Sequence, residues 1–346
     1  IDVIIRRSVK AMLGLPANTS TAMLYSPRRY RGLGLLRCDW EAPLQHWSLA
    51  QKLARIEDSL FQSTFDYAKE VQECKARLGP PIAIDDEMPS VRHLRRSLRE
   101  AAFEEWSKCK WQGIGVCHFK DTPKANNFVC EKTLLSGSEW TNAIKLNINY
   151  APLRGVPGVG GQSLGSVGPL CRKCGRENET PAHFLGHCPN NMLLVTRRHH
   201  RVKHALTNLL NEKGFTCHEE VYGIDTDGVP RYADIIAFAE SGKSAMILDP
   251  TIRYKTNDCD QATKVDLEKK AIYVKCIPYY TEKYRGQYGD RDYTVHGLWF
   301  GARGAIPQTT RSFLDGVGID PSKLTSLVES IIIDSLGILH NHIYSH

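Results

Sequence analysis

Two short apolar runs near the middle of the chain predict a pair of neighbouring β-strands. Residues 233–238 and 245–249 form the runs, and the polar, glycine-containing residues 240–243 between them are typical of a turn. Asp234 lies at the start of the first run and Asp249 at the end of the second. If the strands pair as a hairpin, both carboxylates reach the same edge of the sheet. Such a pair suits a divalent metal ion that acts on phosphodiesters, although acids are also ordinary at strand ends beside turns.

The first 149 residues show mainly the helical spacing of apolar positions. Helices are predicted at residues 1–15, 40–78 (with a break near Pro43), 90–110 and 139–147, and a strand at residues 112–119. The third helix carries a basic cluster composed of Arg92, His93, Arg95, Arg96 and Arg99. This cluster suits either contacts with phosphates or a solvated helix face.

The C-terminal part of the chain predicts a mixed α/β domain. Further strands are expected at residues 271–277 and 294–300, and helices at residues 190–213, 264–270 and 323–340. These strands join the hairpin in one sheet, which the first and last of the helices flank. Residues 279–293 interleave tyrosines with cations, and this composition suits either a DNA-contacting segment or a surface loop.

A stretch rich in Gly, Ser and Pro at residues 154–168 is typical of a flexible linker. It lacks the Lys-Ser/Thr ending of a phosphate-binding loop. We therefore expect four segments, namely two helical segments at 1–78 and 79–168, a short cysteine-containing segment at 169–189 and the α/β domain at 190–346.

Composition narrows the class of protein. The 346 residues include 45 Lys and Arg against 38 Asp and Glu, and the net charge of +7 permits nucleic-acid binding without requiring it. No apolar run reaches membrane-spanning length and no signal peptide opens the sequence, so no membrane partner is expected. The sequence begins with Ile1 inside an amphipathic pattern, and we therefore expect it to be part of a longer protein.

The cysteines predict a metal site instead of a disulfide framework. Their number, 11, is odd, and most are scattered singly, as is typical of reduced thiols. Cys171 and Cys174 form a CxxC pair, and His183 and Cys188 follow on a predicted short helix. Three thiolates and one imidazole match tetrahedral Zn²⁺, and four protein ligands leave no open position, so the ion is expected to be structural. His187 lies one helical turn from His183 and competes with it as the fourth ligand.

The helix predicted at residues 190–213 is amphipathic. The face opposite its apolar positions is basic and consists of Arg197, Arg198, Arg201 and Lys203. A solvated face is the simple interpretation, whereas the adjacent cysteine segment favours contacts with nucleic acid.

Taken in order, these motifs resemble the C-terminal part of the Pol polyprotein of site-specific type-1 non-LTR retrotransposons of the R-two class. The resemblance covers essentially the whole chain and rests on IDVIIRRSVKAMLGL, RGLGLL, QGIGVCHF, SEWTNAIKLNIN, CxxC with ETPAHFLGHC, RRHHRV, EKKAIY and HGLWFGARG. It implies the end of a reverse-transcriptase thumb at 1–78, a helical linker at 79–168, a Cys-Cys-His-Cys zinc knuckle at 169–189 and a restriction-enzyme-like endonuclease of the PD-(D/E)xK type at 190–346.

The resemblance also implies roles for individual residues. Asp234 and Asp249 take the positions of the two catalytic acids, with Ala233 in the place of the usual proline. Lys269 takes the position of a migrated catalytic lysine, and Tyr273 follows four residues later, which is one turn along if the helix extends that far.

The position of the lysine departs from the usual motif. Thr251, and not a lysine, stands two residues after Asp249. Lys255 and Lys264 therefore remain alternatives to Lys269 as the cation of the site.

The implied activity is Mg²⁺-dependent nicking of DNA. The nick would leave a 3′-hydroxyl that primes reverse transcription by a polymerase domain upstream of Ile1. The implied partners are the target DNA and the element RNA, and the implied location is the nucleus. Two other hypotheses remain, a nucleic-acid-binding zinc protein without activity and an inactive remnant of such an element.

Overall fold

The computed structural model describes residues 1–79, 90–131, 133–157, 168–258 and 260–345. The chain divides into two compact units, Ile1–Gly113 and Ile114–His346. The described part of the first unit is helical, and that of the second contains helices and a sheet, so the predicted α+β class is confirmed at this level. Within these ranges no helix combines the length and the apolar character needed to cross a membrane.

The first unit packs its helices around one apolar core. Its elements are α1 (Asp2–Met12), α2 (Thr21–Tyr25), the 3₁₀ turn Arg28–Tyr30, α3 (Cys38–Leu53), α4 (Ser59–Thr64), α5 (Tyr67–Leu78) and α6 (Val91–Ser107). The core between α3, α5 and α6 contains Leu44, Trp47, Cys74, Leu78, Leu94 and Leu98. Arg95 of the predicted basic cluster donates two hydrogen bonds of 2.7 and 2.6 Å to Glu41, so this cation joins α6 to α3.

The prediction of a helix break near Pro43 is wrong, because Pro43 lies inside α3. The carboxylate of Asp2 accepts hydrogen bonds from the backbone N–H groups of Cys38 and Asp39, at 2.9 and 3.1 Å. These bonds fix the start of α3 ahead of the proline and satisfy N–H groups that have no partner inside the helix. The actual breaks in the predicted helix 40–78 come after Leu53 and after Thr64.

The second unit contains a sheet with helices on it. Its helices are α7 (Gly137–Asn147), α8 (Met192–Asn211), α9 (Gln261–Tyr273), α10 (Ile277–Tyr288), α11 (Gln308–Gly316) and α12 (Leu324–Tyr344), with 3₁₀ turns at Cys117–Lys120, Pro123–Val129, Pro189–Asn191, Val274–Cys276 and Pro321–Lys323 and a π-helical turn at His183–His187. Its strands are β1 (Phe215–Ile224), β2 (Pro230–Ala239), β3 (Ser244–Arg253) and β4 (Asp292–Gly301).

The described strands form one sheet in the order β1-β2-β3-β4. The first two pairs are antiparallel, and β4 runs parallel to β3, with α9 and α10 in the connection between them. The predicted hairpin at residues 233–249 and the predicted strand at 294–300 are confirmed. Helix α8 contacts the first three strands, and α12 packs on α8.

The prediction of a strand at residues 271–277 is wrong. This segment contains the end of α9, a 3₁₀ turn and the start of α10. Tyr273, Cys276, Tyr280 and Tyr284 are spaced by three or four residues and all belong to the core cluster on the sheet. The spacing places them on one side of the helices, and their burial outweighs the β-forming tendency of the local composition.

The same burial corrects the interpretation of residues 279–293. Most of this segment is α10, and Tyr280 and Tyr284 are buried, so the segment is not a surface loop. The Tyr288 ring stacks on Phe238 with ring centroids 4.0 Å apart. These tyrosines therefore build the core.

Two other sequence-based expectations differ from the structure. The predicted strand at residues 112–119 consists of turns and the 3₁₀ turn Cys117–Lys120. Strand β1 was not predicted, because its sequence FTCHEEVYGI is polar at its centre and it lies at the edge of the sheet. Residues 158–167 of the predicted linker lie outside the described residues.

Gly297 allows α9 to lie close to β4. A Cβ atom at this position would lie 2.8 Å from the Cα of Asp266 and 3.0 Å from the Cβ of Lys269. The backbone N–H of Gly297 also donates a hydrogen bond of 2.9 Å to the Asp266 carboxylate. The position of Lys269 over the sheet therefore depends on glycine, which has no side chain, at position 297.

We expect Gly297→Ala to lower the free energy of unfolding by about 1–3 kcal/mol, because the new methyl group must displace the backbone of α9. The matched control is Gly286→Ala in α10, where a Cβ would meet no atom within 4 Å. That change should raise the free energy of unfolding by about 0.5–1 kcal/mol. Urea unfolding of both variants checks the pair, and equal stabilities would contradict the close packing at Gly297.

Candidate functional site

The two predicted acids lie side by side on adjacent strands. The register pairs Ile235 with Leu248, and Asp234 and Asp249 are the next residues of the two strands beyond this pair. Both side chains line a cavity of about 730 Å³. The Asp249 side chain is largely buried, and Asp234 is only slightly more exposed. The structure thus brings the two carboxylates to one place, as the hairpin pattern predicts.

Lys269 is the lysine that lies beside these acids. Its ammonium nitrogen is 3.1 Å from Oδ2 of Asp249, and its side chain lines the same cavity. The hydroxyl group of Thr251 donates a hydrogen bond of 2.9 Å to Oδ1 of the same carboxylate. Each oxygen of Asp249 therefore has a partner of its own.

The two alternative lysines lie elsewhere. Lys264 is largely exposed and forms an ion pair of 2.6 Å with Asp258. Lys255 is buried, with its ammonium nitrogen 4.1 Å from the centre of the Phe119 ring. Neither residue lines the cavity of the two carboxylates.

Tyr273 lies at the end of α9, within the segment predicted as a strand, and close to both acids. Its hydroxyl group donates a hydrogen bond of 2.8 Å to the carbonyl oxygen of Tyr232, two residues before Asp234. Burial, followed by the negative charges of Asp249 and Asp234, raises the pKa of the Tyr273 phenol. The phenol is therefore a protonated donor that holds the start of the Asp234 strand.

His199 completes the group and was not predicted. Its Nε2 lies 3.2 Å from Oδ1 of Asp234. The hydrogen bond to Asp234 raises the pKa of His199 above its ordinary value, although burial acts in the opposite direction. The sequence contains a signal for this placement, because His199 continues the apolar stripe of Val202, Leu206 and Leu210 at helical spacing.

The predicted basic face of α8 is turned largely toward acids of the protein. Arg198 and Lys203 are buried, and Lys203 forms an ion pair with Glu220 of β1. Arg201 forms an ion pair of 2.8 Å with Asp334 of α12. The expectation of one exposed face of four cations is therefore wrong.

Arg197 of that set is exposed, and so is Arg201. With Arg201 it lines a second cavity of about 510 Å³ beside α7 and α12. Contacts of these two residues with nucleic acid stay a prediction.

The cysteine segment forms a compact group of four potential metal ligands. One ligand atom each from Cys171, Cys174, His183 and Cys188 lies within 4.8 Å of the others. The two sulfurs of Cys171 and Cys188 are 3.9 Å apart, and Nε2 of His183 is 3.3 Å from the sulfur of Cys174. Three thiols and one imidazole at this spacing are compatible with zinc.

The geometry separates His183 from His187. Nδ1 of His183 lies 3.1 Å from the Glu177 carboxylate, an arrangement that directs Nε2 toward the sulfurs. His187 is exposed and lines the carboxylate cavity instead. Of the two histidines, His183 therefore belongs to the group of potential metal ligands.

The last helix closes over this group through a buried polar network. Nε2 of His342 lies 3.1 Å from the Glu179 carboxylate and 3.7 Å from the sulfur of Cys171. Arg172 binds both oxygens of the same carboxylate, at 2.8 and 2.9 Å. These contacts fix α12 against the cysteine segment.

No family model matches the chain. Two curated sequences similar to it are each described as "Retrovirus-related Pol polyprotein from type-1 retrotransposable element R2", from Popillia japonica. One is 23% identical over 349 residues, which cover 98% of this chain and 66% of the relative. The other is 24% identical over 233 residues, which cover 66% of this chain and 47% of the relative. The chain thus spans less than two thirds of the length of either relative.

Proposed function

We propose that this chain, a homologue of the Pol polyproteins of R2-class non-LTR retrotransposons, contains a metal-dependent DNA endonuclease. The observation that carries the proposal is the cavity that Asp234 and Asp249 line from adjacent strands, with Lys269 beside Asp249. Two acids and one lysine on a sheet edge are the side chains that the PD-(D/E)xK type of nuclease requires. The sheet supports a nuclease domain of this type, because α8 packs on β1, β2 and β3 and α9, in the connection from β3 to β4, packs on β4.

The two carboxylates are the residues that would hold Mg²⁺, because hard oxygen ligands suit this ion. A divalent ion bound there lowers the pKa of a water molecule and neutralises charge on the phosphate. Lys269 places a positive charge where negative charge increases during phosphodiester cleavage. His199 holds one oxygen of Asp234, so it would orient this carboxylate for the ion.

Cleavage of one strand would leave a 3′-hydroxyl that primes reverse transcription. The substrate would be the target DNA, the template the element RNA, and the site of action the nucleus. The polymerase domain of the same polyprotein would lie upstream of Ile1. The second unit would thus act as the nicking part of a longer enzyme.

We further propose that Cys171, Cys174, His183 and Cys188 bind one structural Zn²⁺. The chemistry of the donor set supports this, because soft thiolates select zinc over the hard ion of the carboxylate site. With four protein ligands the ion has no open position, and its role is to hold the π-helical turn and the CxxC turn together.

A pure binding protein is the alternative, and the structure offers it less support. Its predicted basis was the zinc knuckle together with the basic helices, and two of the four cations on the predicted face of α8 are buried. The variants below separate the two functions, since a binding protein does not require the carboxylates.

We expect Asp234→Asn and Asp249→Asn each to slow Mg²⁺-dependent nicking of supercoiled plasmid by on the order of 100-fold or more, because each removes a metal-holding charge. DNA affinity in a gel-shift assay should be unchanged. Asp290→Asn is the matched control, because Asp290 is exposed and pairs with Arg285 outside the cavity. Nicking by both cavity variants at the parental rate would refute the endonuclease.

Lys269→Ala should slow nicking by on the order of 100-fold, because the charge beside Asp249 is lost. Lys264→Ala, on the same helix but paired with Asp258 at the surface, should nick at the parental rate. Lys255→Ala should lower stability, because Lys255 is buried. The assignment of Lys269 is wrong if Lys269→Ala nicks normally and Lys264→Ala or Lys255→Ala does not nick while still folded.

Elemental analysis of the purified chain should find about one zinc ion per molecule. His183→Gln and Cys174→Ser should lose most of this zinc, whereas His187→Gln should retain it, because His187 faces the carboxylate cavity. Zinc retained by His183→Gln and lost from His187→Gln would reverse the ligand assignment. Absence of zinc from the parent protein would refute the proposed zinc site.

A further inference from the structure

We infer that Arg198 is a positioning residue that couples the Cys/His group to the carboxylate cavity. The inference rests on the proposed function, since it concerns how strongly the two carboxylates hold their ion. It assigns a role to a buried cation that the nuclease chemistry itself does not use.

Arg198 reaches the metal-binding segment directly. Its side chain is fully buried, and its Nη2 donates a hydrogen bond of 2.8 Å to the carbonyl oxygen of Leu185. Leu185 lies inside the π-helical turn His183–His187, which carries one proposed zinc ligand and ends beside another, Cys188. The position of this carbonyl therefore depends on how firmly the turn is held.

The second arm of the guanidinium reaches the sheet through α12. Nη1 donates a hydrogen bond of 2.9 Å to the hydroxyl group of Ser335, which donates in turn to the carbonyl oxygen of Ala302 at 2.6 Å. The N–H of Ala302 bonds to the carbonyl oxygen of Arg253 at 2.8 Å. Arg253 is the last residue of β3, the strand that carries Asp249.

Arg198 also adjoins the other carboxylate. It immediately precedes His199, which bonds to Asp234. Both side chains line the carboxylate cavity, together with Ala182, Gly186 and His187 from the metal-binding segment. One wall of the cavity is thus built from the turn that zinc would hold, and Arg198 fixes α8 to that turn.

The chemistry of the side chain explains why an arginine stands here. A guanidinium group presents several N–H donors in a rigid plane, so it can bond to Leu185 and Ser335 at the same time. A lysine has the same charge but a single nitrogen on a flexible stem, and it cannot hold both acceptors in one fixed geometry. Loss of either anchor would let α8 shift, and with it the contact between His199 and Asp234.

The test is a double-mutant cycle on the full chain, with Mn²⁺ as the probe of the carboxylate site. Calorimetry measures the Mn²⁺ affinity of the parent, Arg198→Lys, Cys174→Ser and the double variant. Each single change should weaken Mn²⁺ binding about tenfold, as expected for a residue that supports metal ligands. The Mn²⁺ affinity of the double variant should lie within about two- to threefold of that of either single variant, because both changes break the same connection.

Two further variants make the result decisive. Arg197→Lys, at the exposed neighbouring position, should bind Mn²⁺ like the parent. Ser335→Ala removes one acceptor of Arg198 and should weaken binding in the same direction, and it decides the question if Arg198→Lys does not fold.

The outcomes separate this inference from the proposed function. The proposed function fails if the parent protein shows no Mn²⁺ binding that depends on Asp249 and also does not nick DNA. If the parent binds and nicks but Arg198→Lys, or in its place Ser335→Ala, retains parental affinity, only the coupling is overturned. Additive losses of about 100-fold in the double variant would also overturn it, because they would show two independent effects.

Discussion

The register of the β2–β3 hairpin is the constraint on which the site depends. It brings two acids close together on adjacent strands, just beyond the pair of Ile235 and Leu248, and like charges this close on a sheet destabilise it. The structure offsets this repulsion with one partner on each side, His199 from α8 at Asp234 and Lys269 from α9 at Asp249. A shift of one strand by one residue would turn its carboxylate toward the other face and separate that carboxylate from its partner.

Helix α8 serves both the sheet and the cysteine segment. Toward the sheet it presents His199 and Lys203 to acids of β2 and β1. Toward the cysteine segment and α12 it presents Arg198 and Arg201. Because each of these cations is engaged inside the protein, the charge of this helix fixes its position over the sheet instead of forming a large basic surface. A sequence with fewer acids at the facing positions would leave the same helix free for phosphates.

The sequence predicts the hairpin, both acids and the Cys/His group because each follows from local spacing. The resemblance to R-two class Pol proteins is likewise confirmed by homology. Local spacing fails where both a helical and a strand period fit the same run, as at residues 271–277, where the burial of Tyr273 and Cys276 on one side decides for helical structure. It also fails for α8, since a list of cations does not reveal whether acids face them. The partner of His199 is 35 residues away, and only the tertiary fold brings the two together.

In the proposed nuclease, Lys269 would supply from a helix the positive charge that the usual motif supplies from a strand. Thr251 stands where the usual motif has a lysine, and its hydroxyl group bonds to one oxygen of Asp249. The positive charge comes from α9 and reaches the other oxygen, which the close approach of α9 at Gly297 makes possible. A hydroxyl group alone supplies no charge to balance two carboxylates, so the strand position and the helix position together provide what one strand lysine provides elsewhere. What the chemistry requires is a cation at a point in space, and the packing of α9 on β4 determines that point.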